Sequence, residues 1–137
     1  MRLTKDYKRV SETLISQQEE ETEFNRAIVL RDSGKLDEAC KVLTALIEKH
    51  PQFSPPYAIK AGILFDLKLY EDAEDCFREA VTLKPLSELA SLGLFHSLWN
   101  QGRQDIALEE MERFFSVGGK SEDYQNILTE ITEKTAD

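Results

Sequence analysis

The fold is decided by residues 54–87, whose sequence is SPPYAIKAGILFDLKLYEDAEDCFREAVTLKPLS. Moving this stretch back by its own length brings residues 20–53 into register. The matched positions keep the same residue type: Pro51 and Pro85, Ala39 and Ala73, Ala27 and Ala61, Leu30 and Leu64. Moving it forward by the same length brings residues 88–121 into register, with Ala107 on Ala73. A fixed period of this length predicts a helical solenoid.

Each of these units predicts two helices separated by residues that break helices. In the first unit the helices are predicted near 20–33 and 36–49, since Gly34 ends the first and Pro51 ends the second. In the second unit they are predicted near 55–67 and 70–83. Pro55 and Pro56 open that unit, in the first helical turn where proline is tolerated.

The order of residue types within residues 54–87 resembles the tetratricopeptide repeat. That pattern is a large apolar residue, a small one, a second large one, then alanine, an aromatic residue, alanine and proline. Here it is formed by Tyr57, Ala61, Leu64, Ala73, Phe77, Ala80 and Pro85. The resemblance implies an all-α, right-handed superhelical array of antiparallel helix pairs over residues 20–121. Its three repeats would be 20–53, 54–87 and 88–121, each stabilised by its neighbours.

The third repeat departs most from this pattern. Phe95 and Phe114 replace the two small residues, and Gly118 and Gly119 replace the terminal proline. Larger residues at helix crossings predict wider or altered packing there. Residues 122–137 are predicted to form a C-terminal capping helix, which an open end of a repeat array needs. Its apolar face would comprise Tyr124, Ile127, Leu128 and Ile131.

Residues 1–19 are predicted to form an amphipathic helix with a narrow apolar face, the N-terminal seam. The seam consists of Leu3, Tyr7, Val10 and Leu14, while the basic residues of this segment are Arg2, Lys5, Lys8 and Arg9. The helix either continues without a break into the first repeat, over roughly 45 Å, or kinks in the polar stretch that follows. Because an apolar seam is costly to leave in water, we expect it to dock in the chain's own groove, to form a homodimer or to meet a partner.

The composition argues against one class of binding partner and indicates a cellular compartment. The formal charge of −9 over 137 residues argues against nucleic-acid binding, which needs a basic surface. Neither a secretory signal nor an apolar run of membrane-spanning length is present in the sequence. Cys40 and Cys76 lack CxxC spacing, so we expect two reduced, mostly buried thiols and a cytoplasmic protein.

The sequence contains no group of residues that indicates a catalytic site. His50 and His96 lie at different repeat positions, and neither belongs to a metal-ligand motif. Acidic pairs such as Glu109 and Glu110 are typical of solvated helix faces. We therefore expect no enzyme activity, no metal and no cofactor.

The resemblance also implies where a partner would bind, because the first helices of tetratricopeptide repeats line a concave face. The residues at these inward positions are Phe24, Ile28, Arg31, Ala58, Gly62, Phe65, Leu89, Leu92, His96 and Trp99. Most are apolar, and a contiguous exposed apolar surface marks an interaction site. The alternative is that Phe65 and Trp99 only seal the contacts between repeats.

One well-known subset of the family holds chaperone C-termini through a clamp of Lys, Asn and Arg side chains. The five corresponding positions carry Phe24, Ile28, Ile59, Leu89 and Gly93. None matches the clamp, so this type of tail binding is disfavoured.

These features predict a protein-binding module that holds a partner segment in an apolar groove, as a small chaperone or adaptor. Its architecture is similar to that of the three-repeat chaperones of bacterial secretion systems. Two alternatives remain open: an acidic protein that neutralises a folded basic partner, and a homo-oligomer joined through the N-terminal seam.

Overall fold

The structure, a computed structural model, describes residues 3–135, and their side chains from Lys5 onward. This part of the chain contains seven helices and no strand. They are α1 (Leu3–Asp32), α2 (Leu36–Lys49), α3 (Pro55–Asp66), α4 (Tyr70–Leu83), α5 (Glu88–Asn100), α6 (Gln104–Ser116) and α7 (Glu122–Thr135). The all-α prediction is confirmed. The proposed boundaries at 53/54, 87/88 and 121/122 fall between helices, whereas 19/20 falls inside α1.

The helices approach closely because small side chains lie where they cross. Ala27, Ala39, Ala61, Ala73 and Ala107 are all completely buried. Larger apolar side chains then fill the space between one helix pair and the next. One core cluster lies among α1, α2 and α3, and a second extends from α3 to α7. Each helix pair therefore shares its core with the neighbouring pair, as the period predicted.

The third repeat accommodates its large residues in an aromatic cluster. Phe95 and Phe114 are almost completely buried, and both rings contact Tyr124 of α7, with ring centroids 5.5 and 5.6 Å away. Gly119 makes room for Phe114, because a Cβ atom at that position would lie 2.5 Å from the ring. The glycine that replaces the terminal proline thus complements the phenylalanine that replaces the small residue.

A buried polar network fixes α7 to this cluster. The Tyr124 hydroxyl lies 2.7 Å from the Ser91 hydroxyl, which donates to a carboxylate oxygen of Glu110 at 2.6 Å. Arg113 binds both oxygens of Glu110 at 2.7 Å. Glu110 is only 7% exposed. The expectation that the pair Glu109 and Glu110 lies on a solvated face is therefore wrong for Glu110, which turns inward to meet Ser91.

A second buried carboxylate ties the second repeat to the third. Glu74 of α4 accepts hydrogen bonds from Arg78 at 2.9 Å, from Gln101 at 3.0 Å and from Arg103 at 2.6 Å. Burial alone would raise the pKa of Glu74. The hydrogen bonds from Gln101 and Arg78, with the charges of Arg103 and Arg78, outweigh burial and lower that pKa.

The N-terminal helix is continuous with the first repeat. α1 runs through the polar stretch without interruption, because glutamate and glutamine are good helix formers. Helix α1 has no break in this stretch. Docking of the seam in the chain's own groove is wrong, because Tyr7, Val10 and Leu14 are 75%, 56% and 54% exposed. The side chain of Leu3 lies outside the described part of the seam. Among the described residues, no helix has the length and apolarity needed to cross a membrane.

Candidate partner-binding surface

All ten residues predicted to line the concave face are at least partly exposed. They are Phe24, Ile28, Arg31, Ala58, Gly62, Phe65, Leu89, Leu92, His96 and Trp99, and we use "concave face" for this set. Their neighbours Ala27, Ala61 and Leu98 are completely buried. The three helices α1, α3 and α5 therefore bury one side and leave the concave face accessible.

Three residues of the concave face meet in a first cleft of about 230 Å³. Phe24 of α1, Ala58 of α3 and Leu89 of α5 line it, together with Ile59 and Lys84. The Phe24 ring packs edge-on against Phe53, with centroids 5.9 Å apart, which holds it at the cleft wall. Leu89 is 64% exposed. The first cleft is thus a mostly apolar depression to which α1, α3, α4 and α5 all contribute side chains.

A second cleft of about 370 Å³ lies between α5 and α7. Its apolar lining comprises Phe95, Trp99, Ile127 and Ile131; its polar lining comprises His96, Glu130, Lys134 and Thr135. Tyr124 holds the first turn of α7 in the core. Ile127 and Ile131, which follow on the same helix, line the cleft that remains between α7 and α5. The predicted capping helix therefore forms a wall of the cleft as well as covering the end of the array.

Two aromatic residues of α5 shape the second cleft. The Trp99 ring stacks on Phe95 at a centroid distance of 5.5 Å and an interplanar angle of 20°. His96 meets Phe95 edge-on at 5.3 Å. Burial beside these apolar groups lowers the pKa of His96, and the charge of Asp123 opposes that shift. The shift favours the neutral form of the imidazole, which suits an apolar environment.

The remaining residues of the concave face lie between or beside the clefts. Phe65 packs edge-on against Tyr70 at 5.2 Å, and Leu92 contacts the core. Arg31 pairs with its neighbour Asp32 at 3.0 Å. Phe65 and Trp99 make aromatic contacts within their own repeats, and both side chains also pack against the core cluster that extends from α3 to α7.

Sequence reasoning missed the contributions of Ile59, Ile127 and Ile131 to the clefts. Ile127 and Ile131 belong to the predicted apolar face of α7, and they lie beside α5, about one and two turns beyond Tyr124. The prediction of a capping helix includes no cleft beside that face. Ile59 was considered only as a clamp position, although it follows Ala58 in the chain.

On α1 the concave face continues into the N-terminal seam. At about 100° per residue, Tyr7, Val10 and Leu14 lie within roughly 60° of Ile28 around the helix axis. Glu19 lies on the opposite side, about 180° from Ile28, and Glu20 lies at the flank, about 80° from Ile28; the two pair with Lys49 and His50 at the end of α2. Seam and concave face thus form one stripe along α1, interrupted by Gln17 and Glu21.

The described residues offer few other groups for chemistry. No cluster of histidine, cysteine or acidic side chains among residues 3–135 could hold a metal ion. Cys40 and Cys76 are unpaired and half-buried. Burial raises the pKa of both thiols, with nearby Lys60 acting in the opposite direction.

Comparison with known proteins agrees with the fold. The sequence model of the family described as "Tetratricopeptide repeat" matches residues 55–85. The second predicted repeat thus has the sequence pattern of this family. Among solved structures, the first tetratricopeptide domain of Spaghetti, bound to an HSP90 peptide, superposes with a TM-score of 0.74 at 21% identity. The match covers 88% of this chain and 95% of that one.

A second solved structure is SycD, a type III secretion translocator chaperone of Yersinia enterocolitica. It superposes with a TM-score of 0.68 at 16% identity, over 83% of this chain and 86% of that one. At such identities the likeness shows the fold alone. The prediction of tetratricopeptide repeats is confirmed by the family match and by these superpositions.

Two curated proteins share detectable sequence similarity with the chain. Superkiller complex protein 3 of Homo sapiens is 34% identical over 56 residues, which are 41% of this chain and 4% of that protein. The Hsp70-Hsp90 organizing protein of Triticum aestivum is 27% identical over 109 residues, which are 77% of this chain and 19% of that protein. The chain therefore spans less than a fifth of the length of these relatives.

Proposed function

We propose that this tetratricopeptide-repeat protein binds a segment of a partner protein on its concave face, without catalysing a reaction. The observation that carries the proposal is that every residue of the concave face is at least partly exposed, including Leu89, which is exposed next to the buried Ala90. Contiguous exposed apolar surface of this kind usually marks an interaction site.

The two clefts favour a segment with two apolar anchors. The first cleft would take one large apolar side chain between Phe24 and Leu89, and the second would take another against Trp99. Each anchor removes apolar area from water, worth roughly 1.5–3 kcal/mol for a large side chain. A chaperone or adaptor role in a reducing compartment such as the cytoplasm follows from such segment binding and from the two unpaired cysteines.

Binding of chaperone C-termini through a carboxylate clamp is not part of the proposal. The solved domain with an HSP90 peptide has the same fold, but the five clamp positions here are Phe24, Ile28, Ile59, Leu89 and Gly93. These side chains donate no hydrogen bond to a carboxylate. The partner segment is therefore expected to be apolar and internal.

A matched pair of variants tests the proposal. Leu89 and Val29 are both 64% exposed, but Leu89 lines the first cleft and Val29 lies on α1 outside both clefts. Partners captured from the source organism by the full chain should bind Leu89→Glu at least tenfold more weakly, whereas Val29→Glu should bind normally. Equal binding by the two variants, with normal folding by circular dichroism, would exclude the concave face as the site.

A further inference from the structure

A second apolar surface projects from the array and has no partner among the described residues. Glu19 contacts Lys49 in the last turn of α2, so residues 3–18 of α1 extend past the end of α2. We call these residues the arm. Its seam residues Tyr7, Val10 and Leu14 are each more than half exposed. The arm and the concave face are thus two accessible apolar surfaces in the same chain.

The arm cannot cover the concave face of its own chain. Arm and first repeat belong to one uninterrupted helix, Leu3–Asp32, and a helix does not fold back on itself. The seam also lies on the same side of α1 as Ile28, so both point into the same space rather than toward each other. The arm of the same chain is therefore excluded as a cover of the concave face.

The distribution of charge along the chain indicates which surface of a second copy the arm would contact. Residues 1–10 carry four basic side chains and one acidic one, a formal charge of +3, whereas the whole chain carries −9. The rest of the chain, residues 11–137, therefore carries a formal charge of −12. Two arms repel each other, but an arm is attracted to the body of a second copy.

The details of both surfaces agree with this pairing. Lys8 and Arg9 lie on either side of the seam, toward the back of the arm, where their long side chains can reach the walls of a groove. The exposed carboxylates of Glu21, in the stripe of α1, and Glu130, at the second cleft, lie on the receiving side, where Lys84 and Lys134 also line the first and the second cleft. An apolar helix face thus matches an apolar groove, and the acidic charge of the body as a whole attracts the basic arm.

We propose that the arm of one copy lies on the concave face of a second copy, and that the exchange is reciprocal. Two such contacts related by a two-fold axis give a closed dimer. This inference rests on the proposed function, because the arm uses the same clefts as a partner segment. Arm and partner then compete, so the arm protects the apolar face until a partner displaces it.

Adjacent arm residues supply the first test. Leu14 and Ile15 are 54% and 53% exposed, but only Leu14 belongs to the seam. The full chain should show a mass of twice 15.7 kDa by sedimentation equilibrium. Leu14→Glu should weaken the dimer at least tenfold and Ile15→Glu should not. A full chain that stays monomeric at every concentration would overturn the proposal.

Mixing variants separates this arrangement from direct pairing of two arms. Leu89→Glu damages the concave face and keeps the arm, whereas Leu14→Glu does the reverse. Each should be monomeric alone, but a mixture should form heterodimers through the one intact arm and the one intact face. If Leu89→Glu stays dimeric and the mixture shows no such rescue, the arms pair with each other and the proposal fails.

The dimerisation experiments and the test of partner binding have independent outcomes. A monomeric chain whose partner binding still depends on Leu89 but not on Val29 would retain the proposed function and reject the arm exchange. A dimer with the predicted variant behaviour, whose captured partners bind regardless of Leu89, would retain the exchange and reject the concave face as the partner site.

Discussion

Lys68 adopts the same left-handed backbone conformation that Gly34 adopts one repeat earlier, with φ of 63° and 80°. The two residues occupy equivalent positions of their repeats, in the turn between two antiparallel helices. Gly102, at the equivalent position of the third repeat, has φ of 76°. The turn thus requires a positive φ in all three repeats, and only the second repeat has a residue other than glycine at this position.

Lys68→Gly should therefore stabilise the protein. A non-glycine residue in the left-handed region costs roughly 1–2 kcal/mol, part of which is regained through the lower entropy of its unfolded chain. We expect a net gain of about 1 kcal/mol in the free energy of unfolding, measured as a higher midpoint in urea with an unchanged slope.

Lys84→Gly is the control for this substitution. Lys84 is also a lysine at the end of a helix, but its φ is −136°. Glycine there removes no strain and only makes the unfolded chain more flexible, so stability should fall slightly. Equal gains from both substitutions would contradict the explanation by backbone conformation.

Two helical glycines should respond in opposite ways to alanine. A Cβ atom at Gly93 would overlap the ring of Phe77, which is almost completely buried. A Cβ atom at Gly62 of α3 would meet no atom within 4 Å. Gly93→Ala should therefore cost about 1–3 kcal/mol by overpacking, and Gly62→Ala should gain up to about 1 kcal/mol of helix propensity.

Thermal and urea unfolding of these two variants measure the difference directly. Phe77→Leu in the Gly93→Ala background should recover part of the loss, because the smaller side chain leaves room for the new methyl group. A Gly93→Ala protein as stable as the original would mean that the α4–α5 packing adjusts without cost.

The repeat period predicted the helices α2 to α4 to within one residue at each end, for a local reason. Helix ends are marked in the sequence by residues such as Gly34 and Pro51, and helix crossings by alanines. The single helix α1 could not be decided, because the polar stretch inside it neither breaks a helix nor marks a contact. The contacts of Glu19 and Glu20 with the end of α2, which show where the helix leaves the array, appear only in the structure.

The burial of Glu110 could not be predicted from the repeat, since its network draws on three different elements. Ser91 lies on α5 and Arg113 on α6, whereas Tyr124 lies on α7, outside the repeats. A carboxylate on an otherwise polar helix face gives no sign of such a network. The same reasoning applies to the second cleft, whose outer wall is the capping helix.

The stabilisation from Glu74 should depend on pH. The folded state lowers the pKa of Glu74, so its contribution is complete above the pKa of the unfolded chain. It is lost as the pH falls through the folded pKa. Glu74→Gln should cost about 1–3 kcal/mol at pH 7. The difference in unfolding free energy should shrink once the pH falls below about 4.

Urea unfolding of the original chain and of Glu74→Gln across this pH range provides the measurement. Glu71→Gln is the matched control, because Glu71 is exposed on the same helix. Its effect should stay within about 0.5 kcal/mol at neutral pH, as for ordinary surface substitutions. A constant difference between the original chain and Glu74→Gln, independent of pH, would show that the carboxylate charge does not matter.

Two adjacent residues of α5 separate the binding surface from the core. Leu98 is completely buried, whereas Trp99 is partly exposed and lines the second cleft. Leu98→Ala should cost about 2–5 kcal/mol of stability because it leaves a cavity. Trp99→Ala should cost less, since only one face of the ring is stacked on Phe95. Urea unfolding of the two variants measures this difference.

Partner affinity should respond to the same two substitutions in the opposite order. Trp99→Ala should weaken binding tenfold or more, about 1.4 kcal/mol, because it removes the ring against which an apolar anchor would pack. Folded Leu98→Ala should bind within a few fold of the original chain. Isothermal titration with a captured partner, at a temperature where both variants remain folded, measures this. If Trp99→Ala unfolds the chain as readily as Leu98→Ala and leaves affinity unchanged, then Trp99 belongs to the core and the partner binds elsewhere.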